Sequence, residues 1–221
     1  MEAKILSVNC QGLRANEKRS DVFNYLKSKS CHIYCLQDTH FTKDVEKSIR
    51  AQWGNDCLFS FGTSNSRGVA ILFAKNIEYI VHDHISGSDG NFVIADLTVE
   101  TTRITLINIY GPNKDAPDFF SNILLLAGKY KNDKVIWCGD FNVVQNPNLD
   151  CYNYLHLNNK KAQEKVCEIK SHFNLIDPFR DNNPSLKRYT WRRKNPIKQA
   201  RLDYFLITEN LLSSSSTCKI D

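Results

Sequence analysis

No stretch of this 221-residue sequence stays apolar long enough to cross a bilayer, which argues against a membrane-spanning helix and a membrane partner. Nor does it open like an export signal. Met1 to Cys10 is a short strand-like segment, not a charged region followed by an apolar core and a cleavage site. Internal repeats and domain linkers are both missing, so one domain over residues 1–221 is expected. Zinc-ligand spacing is missing too: Cys31 and Cys35 flank His32 within an apolar run, which suits core burial. The eight cysteines could suggest disulfides, yet Cys10, Cys31, Cys35 and Cys138 lie in apolar strand-like runs, where a free thiol behaves as a small hydrophobe. Without an export signal, free thiols in a reducing compartment are expected, in an intracellular protein, nuclear or cytoplasmic and not secreted. The net charge of +5 is no large excess of one sign; it permits a polyanionic partner without demanding one.

What is present is a series of short apolar runs alternating with helical periodicity. Residues 4–10, 31–37, 68–74, 77–81, 91–99 and 103–110 read as strands, with "ETT" at 100–102 as a hairpin turn. Asn16 is placed to cap a helix from Glu17 to about Lys27, with Val22, Phe23 and Leu26 facing inward. "GPNKDAP" opens a helix in which Phe119, Ile123, Leu126 and Tyr130 recur at helical spacing. A loop is expected over 145–158, then a helix over about 160–173 with Ala162, Val166, Ile169 and Phe173 on one face. Two short strands follow, around Tyr189 to Trp191 and at 201–207, and "SSSS" at 213–216 reads as a flexible polar stretch. Strands outnumber helices and the two are mixed, which predicts packed sheets with helices outside.

The strands end on polar residues. "VIWC" at 135–138 runs into "GDFN" at 139–142. In an extended chain, residues two apart point the same way, so Asp140 and Asn142 could face one ligand; Gly, Asp and Asn also favour plain turns. Asn9 closes the first strand, Asp38 the second and Tyr110 the "LINIY" strand, while Asp203 sits in the last. Repetition in separate segments suggests one rim where strand ends converge. Such a rim suits phosphodiester cleavage. A hard divalent cation wants one or two carboxylates plus waters, another carboxylate must direct the attacking water, and amides, hydroxyls and a cation must meet the charge growing on phosphorus.

"SVNCQGL", "LQDTH", "NIYGPN", "WCGDFN", "YTWRR" and "RLDYFLI" follow one another in the order expected of the endonuclease/exonuclease/phosphatase superfamily, which the sequence therefore resembles from Asn9 to about Ile207. "NIYGPN", "GDFN" and "YTW" look most like the apurinic/apyrimidinic-type endonuclease domain of LINE-type (non-LTR) retrotransposon proteins. The resemblance implies a DNase I-like four-layer α/β sandwich, two central, mostly antiparallel sheets flanked by helices. It implies a Mg²⁺-dependent endonuclease that nicks DNA, with Mn²⁺ as an alternative ion, set within a longer reverse-transcriptase polyprotein. By resemblance, Asp38 is the acidic metal ligand with Asn9 beside it, and Tyr110 contacts phosphate. Asp140 aligns or activates water, Asn142 binds the phosphate and transition state, and Asp203 orients a catalytic histidine. Thr190 lies where related domains touch DNA.

Two departures stand out. The metal ligand of the family is usually Glu, and Asp38 is one methylene shorter. The family's closing Ser-Asp-His motif is absent, so its C-terminal strand is expected to be missing and cleavage to be weak; the alternative function is a nucleic-acid-binding module without catalysis, or a decayed fragment. Other roles remain open on the residues alone. Tyr110 could be core, Asp203 could pair with Arg201, Thr190 could serve strand packing, and Trp191 reads as core and His40 as a structural histidine. Basic residues gather in "KRYTWRRKNPIKQAR", 187–201, where Lys187, Arg188, Arg192 and Arg193 are placed to hold phosphates, unless the run is simply a solvated face.

Overall fold

The structure, a computed structural model, describes residues 3–154, 159–212 and 217–220; the serine run at 213–216 lies outside them. Through the first half run β1 (Ile5–Asn9), α1 (Asn16–Ser28), β2 (Ile33–Gln37), α2 (Glu46–Trp53), β3 (Cys57–Ser60), β4 (Val69–Phe73), β5 (Tyr79–Ser86), β6 (Phe92–Val99) and β7 (Thr102–Tyr110). The second half adds α3 (Pro117–Ala127), β8 (Val135–Asp140), α4 (Pro147–Asp150), β9 (Cys151–Tyr152), α5 (Lys160–His172), β10 (Leu175–Ile176), α6 (Pro178–Asn182), β11 (Trp191–Arg193), β12 (Lys198–Ala200), β13 (Asp203–Thr208) and α7 (Glu209–Leu212).

Two sheets form the centre, one in the order β1-β2-β4-β3 and one in the order β10-β13-β8-β7-β6-β5. Every pairing in them is antiparallel except β1 with β2 and β7 with β8. Side chains alternate across each strand, so a strand buried on both faces feeds two cores. In β4, Ile71 and Phe73 meet Ala95, Leu97, Leu106 and Cys138 between the sheets. Its Ala70 and Leu72 face outward and pack with Phe23 and Leu26 of α1 and Ile49 and Trp53 of α2. On the far side, Ile123, Val166 and Ile169 of α3 and α5 cover Ile94, Ile107 and Trp137. The layers are helix, sheet, sheet, helix, as the sequence predicts. No helix among the described residues is long and apolar enough to cross a membrane. All eight cysteines are free, and Cys10, Cys35, Cys57 and Cys138 are buried.

Some expectations need correction. Ala15, not Asn16, precedes α1, and no side chain caps it. Asn16 instead accepts a hydrogen bond from the Arg19 guanidinium, 2.9 Å, and Arg19 is buried, bonded to the Leu13 and Arg14 carbonyls. The buried face of α3 is Phe120, Ile123 and Ala127, with Phe119 and Leu126 at its margin. The strand read at 77–81 runs from Tyr79 to Ser86. The loop expected at 145–158 contains α4 and β9 in its described part. β9 pairs with β12, and β12 with β11, in a small third sheet.

This small sheet is tied to the body by a buried ion cluster. Arg201 bonds Asp150 at 2.8 and 3.1 Å and Asp177 at 2.6 Å, and Arg180 reaches Asp150 at 2.6 Å. Burial alone would raise the Asp150 carboxyl; hydrogen bonds and charge from Arg201, then Arg180, hold it below its ordinary value. Removing one member of such a cluster strands the others without partners. Arg201→Leu is expected to cost about 3–5 kcal/mol in urea unfolding. The Asp150 contribution is complete above the unfolded carboxyl value, about pH 4, and is lost as pH falls through the lower folded value. Asp150→Asn should therefore lessen the fall in stability on that acid limb, measured by urea midpoints from pH 5 to pH 2.

Candidate active site

The polar strand-end residues meet at one end of the sandwich. Tyr110 is the last residue of β7 and lies beside Asp140, the last of β8, which lies opposite Asp203, the first of β13. These three form a row across one sheet. Asn9 ends β1 in the other sheet, beside Gln37 of β2, and Asp38 follows Gln37 directly. A hydrogen bond joins the two sides at the rim: Asn9 Nδ2 donates to Asp140 Oδ2 at 2.8 Å.

The local backbone is bent to make this happen. Asn142 is left-handed, φ +53°, so it is not the extended neighbour that the i, i+2 argument requires. Its N–H donates to Asp140 Oδ1 at 2.9 Å, a turn of the kind Asp favours. Turn and site are thus one arrangement. The Asn142 amide donates to the Gly111 carbonyl at 2.7 Å, and Asn159 Nδ2 fixes the Asn142 carbonyl at 2.9 Å. Asp38 is also left-handed, φ +49°, and its Oδ1 accepts from the Arg67 N–H at 3.0 Å and meets His40 Nε2 at 3.1 Å. Neither donor reaches Oδ2. The His40 ring stands against Gly12, where a Cβ would come within 2.8 Å of Nδ1, which fits a structural role. Asn9 Oδ1 accepts from the Gln11 N–H at 3.1 Å and keeps a second lone pair.

Charge is concentrated here. Burial, then the facing Asp203 carboxylate, push Asp140 up from the ordinary carboxylate range, against the hydrogen bonds from Asn9 and Asn142. Burial also raises Asp203, with the Thr190 hydroxyl acting against it. Arg201 is committed to Asp150 and Asp177, and Asp203 Oδ1 is buried with no hydrogen-bond partner among the described residues. Tyr110 is raised to about 12 by burial, then by Asp38 and Asp140, so it stays protonated. Among the described residues no three His, Cys, Asp or Glu side chains form a metal cage. Mg²⁺ does not need one, because it keeps several waters and takes one or two carboxylates. Asp38 Oδ2 and Asn9 Oδ1 are hard oxygens that fit it.

The basic residues lie on the small sheet. Lys187, Arg188, Arg192 and Arg193 are exposed. Arg192 and Arg193 are successive residues of β11 and point to opposite faces, so they cannot both grip one phosphate row. Trp191 is half-buried and packs on Tyr154, beside Ala200 and Leu202. The Thr190 hydroxyl accepts from the Leu202 and Asp203 N–H groups, at 3.0 and 3.2 Å, and so anchors the start of β13. Sequence reasoning passed over Arg67, Gly111 and Asn159, whose backbone or side chain holds Asp38 or Asn142. Only a glycine beside the "NIY" strand hinted at any of them.

Residues 6–221 match the model of the Endonuclease/Exonuclease/phosphatase family. Over 226 residues the chain is 26% identical to the Transposon TX1 uncharacterized 149 kDa protein of Xenopus laevis, covering 100% of this chain and 17% of that protein. It is also 26% identical, over 231 residues, to the exodeoxyribonuclease of Bacillus subtilis (strain 168), covering 94% of this chain and 89% of the enzyme. Among solved structures, the endonuclease domain of TRAS1, a telomere-specific non-LTR retrotransposon, superposes with a TM-score of 0.66 at 16% identity, over 96% of this chain and 87% of that one.

Gly139 sits inside β8 at φ +129°, and a Cβ there would come within 2.1 Å of the Ile109 carbonyl oxygen. Gly139→Ala must therefore push β7 and β8 apart beneath Tyr110 and Asp140. A loss of at least about 2 kcal/mol is expected in denaturant unfolding.

Proposed function

We propose that this chain, which belongs to the Endonuclease/Exonuclease/phosphatase family, is the DNA-nicking endonuclease domain of a LINE-type retrotransposon protein and hydrolyses a phosphodiester with a divalent cation. The observation that carries this reading is the convergence of Asn9, Asp38, Tyr110, Asp140, Asn142 and Asp203 on one rim. Asp38 and Asn9 Oδ1 would hold Mg²⁺, or Mn²⁺ in its place. When bound, the cation polarises a phosphoryl oxygen and offsets its growing charge. Asp140, its carboxyl raised by burial, takes the proton of the attacking water. One N–H of the Asn142 amide is spent on Gly111, and the other donates to a phosphoryl oxygen. The protonated Tyr110 hydroxyl donates to another. Lys187, Arg188 and one face of β11 lie along the DNA, and Thr190 serves by fixing Asp203. The 149 kDa mass of the transposon relative, of which this chain covers 17%, suggests a longer polyprotein around this domain, acting where it meets DNA, in nucleus or cytoplasm.

A second reading has its own support. Among the described residues Asp203 Oδ1 has no hydrogen-bonded partner to orient towards the phosphate. Removing one such donor commonly slows the reaction by about 10²–10³. A slowed endonuclease follows from that gap on the first reading, and DNA binding without cleavage on the second.

Plasmid nicking with Mg²⁺ separates the two. The endonuclease reading expects slow conversion of supercoiled to open-circular DNA. Asp140→Asn should abolish it, and Asn142→Ala should lower kcat by about 10²–10³. Salt-sensitive DNA binding with no nicking, unaffected by Asp140→Asn, would establish the binding module instead.

A further inference from the structure

We infer that the guanidinium of Arg67 grips a phosphate of the bound nucleic-acid strand, next to the phosphate being cut. This assignment rests on the nuclease reading above and deepens it. The Arg67 backbone is strapped on both sides to the turn that carries Asp38. Its N–H donates to Asp38 Oδ1 at 3.0 Å, and its carbonyl accepts from the His40 N–H at 2.7 Å. Arg67 is left-handed, φ +65°, as are Asp38 and His40, φ +49° and +56°. Non-glycine residues hold that conformation only where the surroundings enforce it, and such positions gather at functional sites. The next residue leaves no room for drift: a Cβ on Gly68 would lie 2.4 Å from Thr39 Oγ1. Its N–H donates to the Gly90 carbonyl at 2.9 Å, and its own carbonyl accepts from the Thr39 N–H at 3.0 Å. The base of the Arg67 side chain is thus fixed relative to the proposed metal carboxylate.

Its head is uncommitted by comparison. The Arg67 side chain is 49% exposed, and its ion pair with Asp89 is long, 3.8 Å, to a carboxylate that is 71% exposed. A pair of that kind contributes little and is readily exchanged for a phosphate. The guanidinium also lies near enough to Tyr110 to favour the ionised form of its hydroxyl. Its charge is therefore felt on the rim where Tyr110 stands.

The rim needs such a charge. Asp38, Asp140 and Asp203 gather along it, and a phosphodiester must approach all three. Lys187, Arg188 and one face of β11 lie next to Thr190, which holds the start of β13 at Asp203. Arg67 supplies a cation beside Asp38, so a strand crossing the rim is held at both ends. The metal position, Asp140 and Asn142 serve the scissile phosphate, which leaves Arg67, on the rim, its neighbour. A planar guanidinium suits phosphate oxygens better than an ammonium does.

The test is duplex DNA binding by fluorescence anisotropy across a salt series, in an Asp140→Asn background that blocks cleavage. Arg67→Asn keeps the left-handed backbone accessible, and Arg67→Lys keeps the charge; thermal melts check that both fold like the parent. Arg67→Asn is expected to weaken binding by about tenfold. The slope of log K against log salt should fall by about 0.9, one phosphate contact. Arg67→Lys should retain the slope and recover part of the affinity. Binding by the parent with an unchanged slope in Arg67→Asn overturns the assignment alone. So does an Arg67→Lys variant as weak as Arg67→Asn, since that marks a backbone role. No DNA binding by the parent overturns the assignment together with the nuclease reading beneath it.

Discussion

The site depends on one buried amide pair. Gln37 in β2 and Asn108 in β7 belong to different sheets and are both fully buried. Gln37 Nε2 donates to Asn108 Oδ1 at 2.7 Å, and also lies within reach of Ser7 Oγ and the Cys35 carbonyl. Asn108 Nδ2 donates in turn to the Leu36 and Ala70 carbonyls, 3.2 and 2.9 Å. Apolar packing between sheets is non-directional and tolerates small slides. Hydrogen bonds in a low-dielectric interior do not, because a broken one leaves a buried group unpaired. Asp38 follows Gln37 by one residue and Tyr110 follows Asn108 by two. The separation between the two halves of the rim is therefore set directly behind it.

That rigidity matters because the rim opposes itself electrostatically. Asp140 and Asp203 sit opposite each other on adjacent strands, an arrangement that by itself is unfavourable for like charges. Burial worsens it, and both carboxyls are pushed up. The fold holds them in place with strand pairing on both sides of β8, the Thr190 hydroxyl under β13 and the Arg201 cluster behind it. A site that concentrates negative charge in this way suits a partner that brings positive charge, and it disfavours a bare anion.

Much of this was legible in the sequence, for a definite reason. A strand buried on both faces is a nearly continuous apolar run, so its end shows in the sequence, as where "VIWC" of β8 runs into Gly139 and Asp140, and Asn9, Asp38 and Tyr110 stand at or just past the ends of their own strands. The layers were legible for the same reason. What stayed hidden depended on long-range contacts. Arg67 lies in "SNSRG", which reads as an ordinary loop until the Asp38 carboxylate is seen to hold its N–H. Gln37 and Asn108 look like interruptions of apolar strands until they meet. β9, β10 and β12 are too short to show a period. The adjacency of Arg192 and Arg193 suggested a joint role that strand geometry divides.

The β6–β7 turn lies at the opposite pole from the rim. β7 runs from Thr102 to Tyr110, so its nine residues separate that turn from the site by about 30 Å at the usual rise per residue. Thr101 at its tip is exposed. Loop tips of this kind accept insertions and new termini well. The molecule is therefore open to engineering from the rear: a dye, an affinity handle or a second domain joined at Thr101 would stand clear of any polymer lying across the rim.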